Sequence, residues 1–158
     1  MKSNEFNTTK YSQLTRLAQR IAGVIIPGFV ITLEGKLGSG KSALVSEILK
    51  SLGENGTIKS PTFTYCEPYK IGKHKIFHFD LYRFTSEFDW CDFGFDEYVS
   101  DESICFIEWA SRSIEYIPYV DWSIDMKYFG DDTRRVIISP VSDKGIKCLN
   151  QLIKPVVK

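Results

Sequence analysis

The sequence predicts an α/β fold: a mostly parallel central sheet with added antiparallel strands and helices on both faces. Three observations carry this. An apolar run over residues 29–33 (FVITL) passes through a glycine-rich loop into a helical repeat, the order that opens a βα unit. Two further runs, residues 75–80 (KIFHFD) and 103–108 (SICFIE), read as strands that each close on a carboxylate, the second more clearly. Near the C-terminus an alternating stretch, a polar turn and a second apolar stretch read as a hairpin, which adds antiparallel strands.

Taken in order, residues 1–9 are polar and expected to be flexible. Leu14, Leu17, Ala18, Ile21 and Ala22 repeat at helical spacing, with Gly23 as a stop. Pro27 and Gly28 turn the chain into the strand at 29–33. After the glycine loop, Leu44, Val45, Ile48, Leu49 and Leu52 mark a second helix that Gly53 ends. Residues 85–101 are aromatic and acidic and read as a short helix broken near Gly94. Val120, Trp122, Ile124, Met126 and Tyr128 alternate as a half-exposed strand does; FGDDT turns, and RRVIIS returns. The tail over residues 144–158 is weakly amphipathic, is expected to fray, and is flexible over 154–158. The whole, residues 1–158, is one domain.

Bulk properties narrow the function. The length of 158 residues suffices for one domain with a real core. Twenty Lys and Arg balance twenty Asp and Glu, so the chain lacks the broad cationic field of a protein that grips nucleic acid unaided. Cys66, Cys91, Cys105 and Cys148 are far apart, form no CxxC pair and have only His74 and His78 to join them. Disulfide and zinc frameworks are therefore disfavoured, and a cytoplasmic protein is expected. The polar N-terminus carries no signal-peptide core, and no apolar run approaches the ~20 residues of a spanning helix, so no membrane association is expected.

The chemistry starts at Gly35, Gly40, Lys41 and Ser42, which satisfy G-x-x-x-x-G-K-[ST]. Glycines let the backbone wrap phosphate oxygens with its N–H groups turned inward. The helix beginning near Lys41 adds the positive end of its dipole. Lys41 reaches the β- and γ-phosphates, and Ser42 offers a hydroxyl to magnesium. The strand before and the helix after supply the context that distinguishes a phosphate loop from a flexible loop with a chance lysine. ATP with Mg2+ is the expected ligand pair, bound by Gly35, Leu37, Gly38, Ser39, Gly40, Lys41 and Ser42, with Ala43 at the start of the helix. The spacing G-x-G-x-x-G is absent, which argues against a dinucleotide site.

Magnesium on such a loop needs a carboxylate at the end of a neighbouring strand. Asp80 and Glu108 are the candidates, and Lys41, Asp80 and Glu108 form the expected catalytic set. Glu108 follows the cleaner apolar run and is the first choice, with Ser42, for the metal; Asp80 then polarises the attacking water or holds a metal-bound water. The division between the two acids stays open on sequence alone. His78 shares a strand face with Asp80 and reads as packed or hydrogen-bonded rather than catalytic.

Four stretches follow one another: LEGKLGSGKS, IKSPTFTYCEPY, HFDLYRF and ICFIEW. Together they resemble the TsaE family, also called YjeE, over residues 15–139. These are small bacterial P-loop ATPases required for threonylcarbamoyl modification of the adenosine beside the anticodon of certain tRNAs. The resemblance implies a P-loop NTPase-like sheet flanked by helices, magnesium on Ser42 and Glu108, and a switch-like segment at residues 60–63. It also implies that Thr15 approaches the nucleotide base and that a late-strand arginine contacts nucleotide, with Arg135 the best match and Arg134 the alternative. The implied partner is a TsaB–TsaD complex, through which tRNA is met indirectly. The chain departs from the family pattern at Lys36, where Asp is usual, at Ala43, where Thr is frequent, and at Ala110, where Pro is common.

Two other functions compete. A small-molecule kinase could use the same loop, but it needs an acceptor pocket and arginines that cover the transferring phosphate. Arg16, Arg20, Arg83, Arg112, Arg134 and Arg135 form no such cluster in sequence. A stand-alone RNA-binding module is argued against by the neutral charge. The aromatic, acidic middle of the chain, residues 84–98 with Trp90 and Phe93, is too apolar for a plain solvated loop. It is divided between core packing and a protein-partner face.

Overall fold

The computed structural model describes residues 2–155. Its elements are β1 (Asn4–Thr8), α1 (Tyr11–Ala22), β2 (Val30–Glu34), α2 (Lys41–Leu52), β3 (Cys66–Ile71), β4 (His74–Asp80), α3 (Asp89–Asp92), β5 (Ser103–Glu108), β6 (Trp122–Tyr128), β7 (Arg134–Pro140) and α4 (Asp143–Ile153), with short 3-10 turns around residues 95–98 and 110–116. The strands form one seven-stranded sheet in the order β1-β7-β6-β2-β5-β4-β3. The central four, β6-β2-β5-β4, run parallel. Antiparallel pairs extend both sides: β7 and β1 beyond β6, and β3 beyond β4. Among the described residues, no helix is long and apolar enough to cross a membrane.

Strand parity divides the core in two. Ile31 and Leu33 of β2, Ile104 and Phe106 of β5 and Ile124 and Met126 of β6 face one side, where α1, α2 and α4 bury Leu14, Leu17, Ile21, Leu44, Ile48, Leu149 and Leu152. Val30, Phe79, Cys105 and Ile107 face the other side, which is closed by Trp90 of α3 with Leu81, Phe84, Phe95 and Ile117. All three long helices therefore lie on one face, while the second is covered by one four-residue helix, 3-10 turns and aromatic side chains. The sequence expectation of helices on both faces holds with this asymmetry. The aromatic middle segment is mostly core: Trp90 is fully buried and Phe95 nearly so, but Phe88 and Phe93 remain half exposed.

Two ends differ from expectation. The segment expected to be flexible, residues 1–9, contains β1, whose Asn4–Thr8 pair with residues 134–138 of β7. The tail expected to fray forms α4. The Ser142 hydroxyl caps it by accepting from the Gly145 N–H at 2.9 Å and donates to Asp121 Oδ1 at 2.5 Å. Asp121 is buried and its Oδ2 accepts the Val30 N–H, so one carboxylate ties β2, α4 and the start of β6 together. Gly145 is required inside this helix, because a Cβ there would collide with the Asp121 carbonyl. Residues 156–158 of the expected flexible tail lie outside the described residues. β3 was not anticipated; it is an edge strand with Pro68 inside it, where a missing N–H is tolerated.

Candidate active site

The loop between β2 and α2 emerges at the carboxyl end of the central parallel strand, the side on which open α/β sheets hold ligands. Its glycines are conformational requirements. Gly35 (φ 148°), Gly38 (φ 78°) and Gly40 (φ 103°) all take positive φ. A Cβ on Gly35 would strike the Met126 carbonyl of β6, and one on Gly40 would sit 2.9 Å from Arg134 Nε. The loop is thus pressed against β6 and β7.

Lys41, the first residue of α2, is almost wholly buried. Its Nζ donates to the Gly35 carbonyl at 2.6 Å, the Lys36 carbonyl at 3.2 Å and Ser39 Oγ at 3.5 Å. It also lies 4.3 Å from the centre of the Trp109 ring, a cation–π contact. Burial pulls the ammonium below the ordinary lysine value, against the opposing charges of Glu108, Asp80 and Glu34. Trp109 takes a left-handed backbone conformation (φ 57°) directly after β5 and packs its ring 4.9 Å from that of Tyr82.

The two acids are brought side by side. β4 and β5 are in register with Asp80 opposite Glu108, so both project at the same level beside the loop. Ser42 Oγ donates to Glu108 Oε1 at 2.8 Å, and His78 Nε2 contacts the same oxygen at 2.7 Å. Asp80 Oδ1 accepts the Tyr82 N–H at 3.0 Å, and Oδ2 accepts from Thr62 Oγ1 at 3.4 Å. Burial pushes the Asp80 carboxyl above the usual range and the nearby Glu108 charge adds to this, while the Tyr82 N–H pulls the other way. Lys41, Ser42, Ala43, Thr62, Asp80, Glu108 and Trp109 line a cleft of about 230 Å³ with Leu37, Gly38 and Gly40. A second cavity of about 440 Å³ opens on the β6 flank of the loop, lined by Gly35, Lys36, Leu37, Ser39, Met126, Tyr128 and Phe129 among others.

The oxygens of Ser42, Asp80 and Glu108 are hard donors of the kind magnesium prefers, and one or two carboxylates are what it takes beside substrate phosphates and water. The residue set fits that ion. Among the described residues there is no cluster of three or more His, Cys, Asp and Glu that would hold a metal alone. The switch-like stretch at residues 60–63 reaches the cleft through Thr62, whose hydroxyl also pairs with Ser60 Oγ at 2.7 Å.

Two expected nucleotide contacts are placed differently from the rest. Thr15 does not line the cleft: its hydroxyl donates to Glu47 Oε2 at 3.2 Å, in the seam between α1 and α2, where Tyr11 and Lys50 also meet that buried carboxylate. Arg135 is paired with Glu5 of β1 at 2.9 Å and lies over Phe129. Arg134 is the arginine beside Gly40, with its guanidinium over the Tyr128 ring. The deciding signal is strand parity: Val136 and Ile138 face the α1–α2 side, and Arg134 shares their parity. Sequence reading could not use it, because Val136, Ile137 and Ile138 are all apolar.

The family model described as "Threonylcarbamoyl adenosine biosynthesis protein TsaE" matches residues 8–136. A Bacillus subtilis protein named tRNA threonylcarbamoyladenosine biosynthesis protein TsaE is 33% identical over 144 residues, covering 91% of this chain and 90% of its own. A Haemophilus influenzae protein of the same name is 32% identical over 137 residues, covering 84% and 86%. The crystal structure of Bacillus subtilis YdiB superposes with a TM-score of 0.79 at 29% identity, over 96% of this chain and 94% of that one.

Proposed function

This chain belongs to the TsaE family and serves in tRNA threonylcarbamoyladenosine biosynthesis, and from that premise we propose that it does so as a magnesium-dependent ATPase in the cytoplasm. The observation that carries the proposal is the convergence of Lys41, Ser42, Asp80 and Glu108 on one cleft at the mouth of a glycine loop. Loop N–H groups and the start of α2 hold the phosphates, and Lys41 Nζ exchanges its carbonyl partners for the β- and γ-phosphate oxygens. Ser42 and Glu108 would hold magnesium, whose charge would offset that developing on the phosphates. Asp80 orients the attacking water. Arg134, beside Gly40, is the arginine in position to meet nucleotide, in place of Arg135.

The partner is a TsaB–TsaD-like complex, reached through the exposed Phe63 of the switch-like segment, which Arg83 covers at 5.2 Å, and the half-exposed Phe88 and Phe93. An isolated loop of this kind hydrolyses slowly, and a partner that completes the transition-state shell accelerates it by about 10³–10⁵ when it supplies an arginine. The test is ATP hydrolysis measured with and without that complex, with Lys41→Ala as the control. Losing the charge-assisted contact of Lys41 is worth about 1.5–3 kcal/mol. Stimulated release of phosphate that Lys41→Ala abolishes is the expected result. Phosphate transfer to an added nucleoside instead of release would turn the reading to a kinase.

A further inference from the structure

His78 belongs to the site, although an imidazole is not a donor that magnesium prefers. We infer that His78 is a positioning residue that sets the orientation of the Glu108 carboxylate toward magnesium. The inference rests on the magnesium reading above and adds to it the residue that makes Glu108 competent.

Glu108 and His78 are both about 2% exposed, so the contact between them is shielded from water. His78 Nε2 lies 2.7 Å from Glu108 Oε1, and Ser42 Oγ lies 2.8 Å from the same atom. A carboxylate oxygen only accepts, so Nε2 carries the hydrogen and donates. Two donors on Oε1 leave Oε2 without a protein donor among the described residues. A carboxyl group held by one oxygen in this way has lost its rotation about the last side-chain bond, and its second oxygen has a fixed aim. The Lys41 ammonium lines the same cleft and attracts the Glu108 carboxylate. Without His78, a single hydroxyl donor stands against that attraction, and that hydroxyl is itself the group Ser42 must offer to the metal.

Register explains why a histidine can do this. His78 stands opposite Phe106 and Asp80 opposite Glu108 on neighbouring parallel strands, so residue 78 is one pleat below the acid and on its face. Only a side chain that reaches upward and ends in an N–H contacts Oε1 from there. His78 Nδ1 is buried with no partner among the described residues. A ring placed for packing alone would gain nothing from facing a carboxylate, so the 2.7 Å contact from Nε2 points to Glu108 as the reason for its placement.

The test is ADP affinity measured by calorimetry in EDTA and across a magnesium chloride series, for the native chain, His78→Leu and His78→Gln. Glutamine restores an N–H at the distance of Nε2; leucine does not. Outer-shell partners of metal ligands typically account for about 10–100-fold in metal affinity. The expected result is that His78→Leu leaves ADP affinity in EDTA unchanged and moves the half-effective magnesium concentration upward by that factor, with His78→Gln recovering most of the shift. A half-effective concentration unchanged in His78→Leu overturns the role of His78 alone. A native chain whose ADP affinity ignores magnesium overturns the metal reading itself. Nitrogen NMR of the native chain gives a second measurement that needs no variant, since the chain has only two histidines. A His78 ring protonated at Nε2, with resonances that move on adding magnesium and ADP together but not ADP alone, supports the inference; a ring protonated at Nδ1 overturns it.

Discussion

Asp80 shows how a side chain proposed to act in catalysis can oppose the stability of the protein that carries it. Its carboxyl is buried beside Glu108, and burial raises its affinity for a proton. The folded chain therefore binds that proton more tightly than the unfolded chain does, and stability falls as pH rises from the ordinary carboxylate range through the raised value. Asparagine keeps an oxygen for the Tyr82 N–H and has no charge to bury. In magnesium-free buffer Asp80→Asn is expected to melt higher than the native chain at pH 7, with the difference shrinking toward pH 4, while ATP turnover is lost. Equal melting temperatures at pH 7 would show that the buried charge carries no penalty. A second prediction separates two adjacent arginines. Arg134→Ala is expected to weaken nucleotide binding by about 10-fold or more, as loss of a contact to a charged group does. Arg135→Ala removes the exposed pair with Glu5 and the contact over Phe129, and should leave affinity within twofold and stability within about 1 kcal/mol. Calorimetric titration with ADP decides between them.

At the scale of elements, what was legible followed from periodicity and what was not followed from partners. β2, α2, β4 and β5 announce themselves, because apolar runs and a glycine loop are local properties of the chain, and they bring Lys41, Ser42, Asp80 and Glu108 along. β1 reads NEFNT, whose only cue is one buried face, and it becomes a strand because β7 offers a ladder. α4 carries a glycine that lowers helical propensity, and that glycine exists for a contact with Asp121 that no local pattern contains. Thr15 was expected at the nucleotide because the resemblance put it there; the seam with Glu47 depends on how α1 lies on α2. The Ser142 cap gives a direct measure of how much α4 matters. Ser142→Ala removes both the acceptor for the Gly145 N–H and a donor to buried Asp121, and should cost about 1–2 kcal/mol. Thermal melting should register this as a fall of a few degrees, about 2–4 °C per kcal/mol for a chain of this size.

Across the whole molecule, the two faces of the sheet have different tasks. The face under α1, α2 and α4 is closed by regular helices and carries Lys41, Ser42, Asp80 and Glu108, the side chains proposed to meet phosphate and metal. The other is closed by aromatic packing around Phe79, Trp90 and Phe95, whose outermost members, Phe88 and Phe93, stay half exposed. A surface of this composition on a chain with zero net charge suits a protein partner better than a nucleic acid. If the partner reading holds, tRNA modification by the TsaB–TsaD-like complex, with tRNA in excess over enzyme, is expected to run through many cycles only when this chain is present. Lys41→Ala should not replace it, and Phe63→Ala with Phe93→Ala should lose stimulation while keeping ADP affinity. Equal cycling with this chain omitted would sink the proposal.

The way the glycine loop is braced sets when it can come into being. Gly35 rests on β6, Gly40 faces Arg134 of β7, and the Val30 N–H that begins the loop's own strand is held by Asp121, 91 residues downstream. The loop is therefore no autonomous nest that a nascent N-terminal half can display. Contacts of such long sequence separation are entropically expensive to close and tend to form slowly. During refolding, helical signal from α1 and α2 should recover before any capacity to bind nucleotide. A stopped-flow trace of a fluorescent ADP analogue should lag the far-ultraviolet circular dichroism and coincide with burial of Trp122, and a chain released before β7 emerges from the ribosome should be blind to nucleotide altogether.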